Sequence, residues 1–143
     1  MPVTYVDFRT APVDGAEYIS EFTWIDEING EVSEHHYFVD YPGAKDLERQ
    51  VIEVLGGKPF TRYSCSTVLR TFISNVPKSN IIACRTIQQK QLITSLLKAL
   101  NITTLKAFCT FDDIDAGDGE LSYIMDLIVS ARAEASTKFG NAL

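Results

Sequence analysis

The residues best suited to chemistry in this sequence are the cations of a long stretch that holds no carboxylate. Residues 61–107 contain no Asp or Glu, although the 143-residue chain has 19 acidic residues and a net charge of −6. A carboxylate beside a bound phosphate would repel it, so a segment without carboxylates favours an anion site. The alternative is that these cations pair with the acidic flanking regions or with another subunit. The stretch carries seven basic residues: Arg62, Arg70, Lys78, Arg85, Lys90, Lys98 and Lys106.

Two predicted helix starts within this stretch supply further donors for an anion. One lies near Ser64 and the other follows Thr86. A helix N-terminus presents unpaired N–H groups and the positive end of the helix dipole, and arginines add bidentate donors. The same hydroxyls are also ordinary N-caps, which helices favour without any ligand. The candidate ligand-binding residues are Arg62, Ser64, Ser66, Thr67, Arg70, Arg85, Thr86 and Lys90.

The cysteines and histidines form no complete catalytic signature. Cys65 stands at a helix start, but Arg70 follows one residue too early for a thiolate-phosphatase loop. His35 and His36 are adjacent, so on a strand they face opposite sides and do not bind one metal together. The three cysteines are an odd number without metal-ligand spacing, which favours reduced thiols and a cytoplasmic location. The acidic loop 112–120 lacks the glycine and the final glutamate of a calcium loop, so it is interpreted as an acidic cap for the last helix.

Composition limits the class of protein before any element is assigned. The chain is 45% hydrophobic and 22% charged, with a mean hydropathy of +0.01. These values exclude a disordered tail and a low-complexity polymer, and no apolar run reaches the roughly 18 residues of a membrane span. The overall acidity argues against non-specific binding to duplex nucleic acid.

The clearest element is a β-hairpin. Asn29-Gly30 separates two alternating runs, and both central positions of a type I′ turn need positive φ. Taking these two residues as the loop pairs Trp24 with His35 and Phe22 with Tyr37. The core face then carries Tyr18, Phe22, Trp24, His35, Tyr37, Val39 and Tyr41. The opposite face, which is expected to be exposed to solvent, carries Glu21, Thr23, Glu27, Glu34, His36 and Asp40.

The remaining elements alternate between helix and strand. A first strand is predicted over 3–10, and the helix 44–55 has an apolar stripe of Leu47, Val51, Val54 and Leu55. A short strand 61–65, a helix 66–74, a strand 80–85, a helix 87–100, a strand 104–110 and a helix near 119–137 follow. Strand, helix and strand over about 30 residues form a right-handed βαβ unit. The prediction is therefore one α/β (or α+β) domain with a mixed sheet, in which an antiparallel three-strand meander precedes a helix, the βαβ unit and a C-terminal helix.

This order of elements resembles the ribonuclease H-like fold. The resemblance implies carboxylates that hold Mg or Mn around a phosphodiester, at positions matching Asp7 in the first strand, Glu48 in the first helix and Asp126 in the last helix. The further acid of that family would follow the strand 80–85, where this chain has Thr86. The departure removes a metal ligand.

The sequence leads to one expected function and two alternatives. The expectation is a non-enzymatic protein that binds a phosphate-bearing small ligand such as a nucleotide, without a cofactor. By analogy, such a protein would sequester a signalling nucleotide, as some phage proteins do. The alternatives are a metal-dependent nuclease of the ribonuclease H-like kind and an acidic inhibitor or immunity protein that binds a partner protein. The charge segregation would also suit a homodimer.

Overall fold

The structure is a computed structural model that describes residues 2–56, 61–114 and 118–138. Its strands are β1 (Val3–Val13), β2 (Ala16–Ile28), β3 (Glu31–Asp40), β4 (Arg62–Ser64), β5 (Ile81–Cys84) and β6 (Phe108–Thr110). Its helices are α1 (Ala44–Leu55), α2 (Cys65–Asn75), α3 (Ile87–Ala99) and α4 (Asp118–Lys138), and a short 3-10 helix covers Phe111–Asp113. The predicted single α+β domain with a mixed sheet is confirmed.

The six strands form one sheet in the order β4-β3-β2-β1-β5-β6. β1, β2 and β3 are antiparallel neighbours, whereas β5 runs parallel to β1, β6 to β5 and β4 to β3. All strands except β2 therefore point the same way. We call the edge where β5 and β6 end, beside the middle of β1, the carboxyl edge.

Two tight turns build the meander. The Asn29-Gly30 turn has φ values of 52° and 83°, as a type I′ turn requires. The resulting register pairs Trp24 with His35, which confirms the predicted hairpin. A second turn of the same kind joins β1 to β2 at Asp14-Gly15, with φ values of 51° and 83°. The strand predicted over 3–10 therefore extends to Val13.

Helices cover both faces of the sheet. On one face Phe72 of α2 and Ile93 of α3 pack with Phe22 and Trp24 of the sheet. On the other face Ile128 of α4 packs with Tyr5 and Ile25. Face assignment follows from strand alternation, since even-numbered residues of β1 join the first core and odd-numbered ones the second.

Two burial predictions are wrong. Thr23 is fully buried and the His36 side chain is 7% exposed, although both lie on the hairpin face predicted to be wet. The reason is α4, which crosses β2 and β3 on that face.

The predicted apolar stripe of α1 is largely exposed to solvent, because Leu47 and Val54 are exposed. The side chain of Leu55 lies outside the described residues.

Within the described part of the chain, no helix is both long enough and apolar enough to cross a membrane.

Candidate anion site at the carboxyl edge

The start of α3 brings three of the predicted ligand-binding residues to the carboxyl edge beside β1. Arg85 follows β5 directly, and its N–H donates to the Val6 carbonyl of β1 at 3.1 Å. Its side chain is 49% exposed, with Nε 3.7 Å from a carboxylate oxygen of Asp7. This leaves much of the Arg85 guanidinium open to solvent and to a ligand.

The helix start itself is built by Thr86. Its hydroxyl accepts the Gln89 N–H at 3.2 Å, and its carbonyl accepts the Lys90 N–H at 3.0 Å. The predicted N-cap is thus confirmed. The amides of Ile87 and Gln88 lie in the first turn of α3, where no carbonyl of the helix itself can accept them. Lys90 lies one turn further along α3 and is partly buried.

Asp7 is the buried centre of this region. Its side chain is 2% exposed, and it lies in the middle of β1, directly after Val6, the last β1 residue that pairs with β5. Arg132 of α4 donates from Nη2 to Oδ2 at 2.8 Å, and Gln89 donates from Nε2 to Oδ1 at 2.7 Å. A buried carboxylate needs such charged and polar partners, because desolvation without them is costly. The sequence reading identified neither Gln89 nor Arg132 as a partner of Asp7.

Hydrogen-bonding capacity remains beside Asp7. Gln89 Oε1 and Arg132 Nε are buried polar atoms that have no hydrogen-bond partner within the described residues. Because buried polar atoms are seldom left unpaired, these two mark the region as incompletely satisfied.

The 3-10 helix after β6 adds two acidic groups, Asp112 and Asp113. Asp113 accepts hydrogen bonds from the Thr110 N–H at 2.8 Å and from the Thr110 hydroxyl at 3.1 Å. These bonds, together with the charge of Lys90, hold the pKa of Asp113 below its usual value. Within the described residues, the carboxyl edge thus sets the cations Arg85, Lys90 and Arg132 against the acids Asp7, Asp112 and Asp113.

The other predicted helix start, at α2, lies elsewhere. Ser64 caps α2 by accepting the Thr67 N–H at 3.1 Å. The register aligns Ser64 with Asp40 at the end of β3, whereas Cys84 before α3 aligns with Val6 of β1. Four strand spacings and several residues of axial offset separate the two starts by roughly 25 Å. The two helix starts therefore do not converge on one ligand.

The arginines near α2 are engaged in intramolecular bonds. Arg62 forms an ion pair with Glu48 and donates from Nη1 to the Val39 carbonyl at 2.8 Å, with its guanidinium over Tyr41. Arg70 donates to Ser66 Oγ at 3.2 Å and to the Leu100 carbonyl at 2.9 Å. Ser66, like Ser64 and Thr67, thus takes part in local helix-start contacts.

The three carboxylates implied by the ribonuclease H-like resemblance are not gathered. Asp7 is bound to Arg132, Glu48 is bound to Arg62, and Asp126 lies exposed on α4. Within the described residues, no three His, Cys, Asp or Glu side chains are close enough to hold a metal ion. The residues present therefore do not fit the two-metal centre that the resemblance implies.

A second charged pair lies on the same face of the sheet as Asp7. His36 Nε2 is 2.9 Å from a Glu21 carboxylate oxygen, and Arg9 is 3.7 Å from the other oxygen. Burial raises the pKa of Glu21, but the hydrogen bond and charge of His36, with Arg9 and Arg132, outweigh it and leave the pKa below its usual value. The sequence offered one signal for this pair, the alternation that places Glu21 and His36 on one hairpin face.

The cysteine thiols do not supply an activated nucleophile. Burial raises the pKa of Cys84 to about 12 and also raises the pKa values of Cys65 and Cys109. A thiolate is the reactive species, so these shifts oppose nucleophilic chemistry near pH 7.

No protein-family model matches this sequence, and a search of curated proteins returns no significant match.

Proposed function

We propose that this chain is a non-enzymatic binding protein for a phosphate-bearing small ligand of the nucleotide class, held at the carboxyl edge. Arg85 would bind the phosphate through its exposed guanidinium, the amides of Ile87 and Gln88 would donate to it, and Lys90 would add charge. The observation that carries the proposal is the half-exposed Arg85 at the start of α3. There a partly exposed guanidinium directly precedes the first turn of a helix, and both are suited to an anion.

The position in the sheet supports this location. β5 leads into α3 on one face of the sheet, while β6 leads toward α4 on the other. Ligands of open α/β sheets bind in the crevice that opens where neighbouring connections diverge in this way. Gln89 and Arg132 both bond to Asp7 of the neighbouring strand β1, and Gln89 Oε1 and Arg132 Nε have no partner within the described residues.

The charge arrangement supports binding without chemistry. Asp7 is paired with Arg132, which opposes a role for this carboxylate as a base or a metal ligand. The ribonuclease H-like nuclease remains the alternative that the strand order favours, because β5 and β6 extend a three-strand meander in parallel. Separation of Asp7, Glu48 and Asp126 favours binding over that alternative. The three free thiols are consistent with the cytoplasmic location that we propose.

The test is thermal stability against mono-, di- and cyclic nucleotides, each with and without Mn²⁺. A ligand at a hundred times its Kd stabilises by about 2.7 kcal/mol, a shift of several degrees. We expect a nucleotide to shift the Tm without metal, and the double variant R85A/K90A to abolish the shift. The matched control R70A/K98A removes the same charge away from the carboxyl edge and should retain it.

Two results would count against binding at this edge. A shift with Mn²⁺ alone would favour the nuclease alternative and the acids Asp7, Glu48 and Asp126. A shift that R70A/K98A abolishes and R85A/K90A preserves would place the ligand at α2.

A further inference from the structure

Within the part of the chain that the structure describes, one side of β3 has a strand partner only near the carboxyl end of the strand. β4 pairs with β3 only from Phe38 to Asp40. Within the described residues, 31–37 have β2 on one side and no strand on the other. Such an edge presents backbone donors and acceptors in the spacing that another strand requires.

The hairpin register identifies which backbone groups point outward. In a hairpin closed by a two-residue turn, Ile28 and Glu31 exchange both hydrogen bonds, and bonded and non-bonded pairs then alternate. The backbone N–H and C=O groups of Val32, Glu34 and His36 therefore point away from β2. Their side chains lie on the sheet face that α4 covers.

A groove of about 270 Å³ runs between this edge and α4. It is lined by Glu34, His35, His36, Ala131, Glu134 and Ala135. Glu34 and Glu134 are exposed carboxylates, and the lining contains no Lys or Arg. The His36 ring is already bonded to Glu21, so the charge that the groove presents to a partner is negative.

We propose that the β3 edge and this groove bind an extended, lysine- or arginine-bearing segment of a partner protein as an added strand. Backbone hydrogen bonds to Val32, Glu34 and His36 would supply affinity, as in other cases of strand addition. Alternate side chains of the added strand face the groove, where Glu34 and Glu134 would pair with the basic ones. The two alanines leave room for the aliphatic stems of those side chains. This surface is independent of the carboxyl-edge site.

The probe is a fluorescein-labelled eight-residue peptide that alternates lysine and valine, measured by fluorescence anisotropy. A glutamate–valine peptide of equal length is the charge control. Two further probes carry N-methyl groups either on all lysines or on all valines, so that each blocks the backbone donors on one side of the peptide. We expect the lysine peptide to bind, the glutamate peptide to fail, and one N-methylated peptide to lose binding while the other keeps it.

The protein variants separate the groove from general attraction to an acidic protein. We expect E34K/E134K to weaken binding of the lysine peptide about tenfold or more. The control E17K/E53K makes the same charge change at exposed positions away from β3 and α4 and should leave the Kd within about twofold. Far-UV circular dichroism and the Tm establish that both variants are folded.

Three results would overturn the proposal. The first is equal binding by both N-methylated peptides, which would exclude backbone pairing. The second is equal weakening of lysine-peptide binding by E17K/E53K and E34K/E134K, which would show that the effect depends on net charge alone. The third is a stable dimer in sedimentation that the peptide does not dissociate, which would assign the edge to a second copy of the chain.

Discussion

At the residue scale, the contact between Asp7 and Arg132 decides what the carboxyl edge can do. Arg132 Nη2 lies 2.8 Å from Asp7 Oδ2, with side-chain exposures of 12% and 2%. Desolvating two charges costs several kcal/mol. The attraction between the two opposite charges and the hydrogen bond from Gln89 to Asp7 offset this cost. An aspartate held in this way stabilises α4 on the sheet and leaves Arg85 as the cation available to a ligand.

The first prediction concerns removal of one member of this pair. R132M should lower the free energy of unfolding by about 3 kcal/mol or more, because it leaves Asp7 buried and charged. Adding D7N should restore part of the loss, giving a coupling of the order of 1 kcal/mol or more in a double-mutant cycle by urea unfolding. R49M breaks an exposed pair with Asp46 and should cost less than about 1 kcal/mol. Equal costs for R132M and R49M would show that the Asp7 contact contributes little.

The second prediction concerns acid stability through Glu21. Its pKa in the folded protein lies below the usual value of 4.5. A lowered folded-state pKa gives stability that is complete above the unfolded pKa and is lost as the pH falls through the folded one. We expect E21Q to be less stable than the wild type at pH 7 and the difference to shrink as the pH falls below about 4.5. Urea unfolding at several pH values measures this, with E31Q at an exposed position as the control. A difference that grows toward low pH would contradict the assignment.

At the scale of elements, the turns and helix starts determine where the charged groups lie. Gly30 has a φ of 83° in the β2–β3 turn, and a Cβ added there would meet nothing within 4 Å. Gly119 also has open space around it but lies in α4 without a positive φ. The two glycines therefore differ in backbone conformation rather than in crowding.

The third prediction uses these two positions as a matched pair. G30A should destabilise by about 1–2 kcal/mol, because an L-residue is strained in the left-handed region. G119A should be neutral or stabilise by up to about 1 kcal/mol, because alanine restricts the unfolded chain and favours helix. Thermal unfolding of both variants checks the expectation, and a stabilising G30A would show that the turn is not of this type.

Local patterns were sufficient to predict most elements. The Asn29-Gly30 turn and the Thr86 cap are each encoded within a few neighbouring residues, and the structure confirms both. The burial of the hairpin face that carries Thr23 and His36 was mispredicted, because it depends on α4, about 100 residues further along the chain. A long-range packing partner is not visible in the alternation of a single strand.

The candidate site was only partly predictable for the same reason. Arg85, Thr86 and Lys90 are close in sequence, and the structure keeps them together at the start of α3. The prediction combined them with the residues at the start of α2, because both helix starts lie in the same acid-free stretch. Strand order separates the two starts, and strand order is a property of the whole sheet. The Asp7–Arg132 contact spans 125 residues and has no local signature.

At the scale of the whole molecule, the sheet separates two surfaces of different charge. The carboxyl edge presents Arg85 and Lys90 next to free helix amides, while the groove between β3 and α4 presents Glu34 and Glu134. The acid-free stretch 61–107 supplies the first surface, and the acidic regions on either side of it supply the second. The segregation of charge along the sequence thus becomes a segregation in space.

The central claim is that a phosphate-bearing ligand binds at the start of α3. The most direct measurement is a ¹H–¹⁵N correlation spectrum of the labelled protein titrated with inorganic pyrophosphate and with whichever nucleotide stabilises it, without metal. We expect the largest shifts at the amides of Ile87 and Gln88 and at the Arg85 side-chain N–H, and no comparable shifts at Ser66 or Thr67. Saturable shifts confined to the start of α2, or none at any ligand concentration, would contradict the claim.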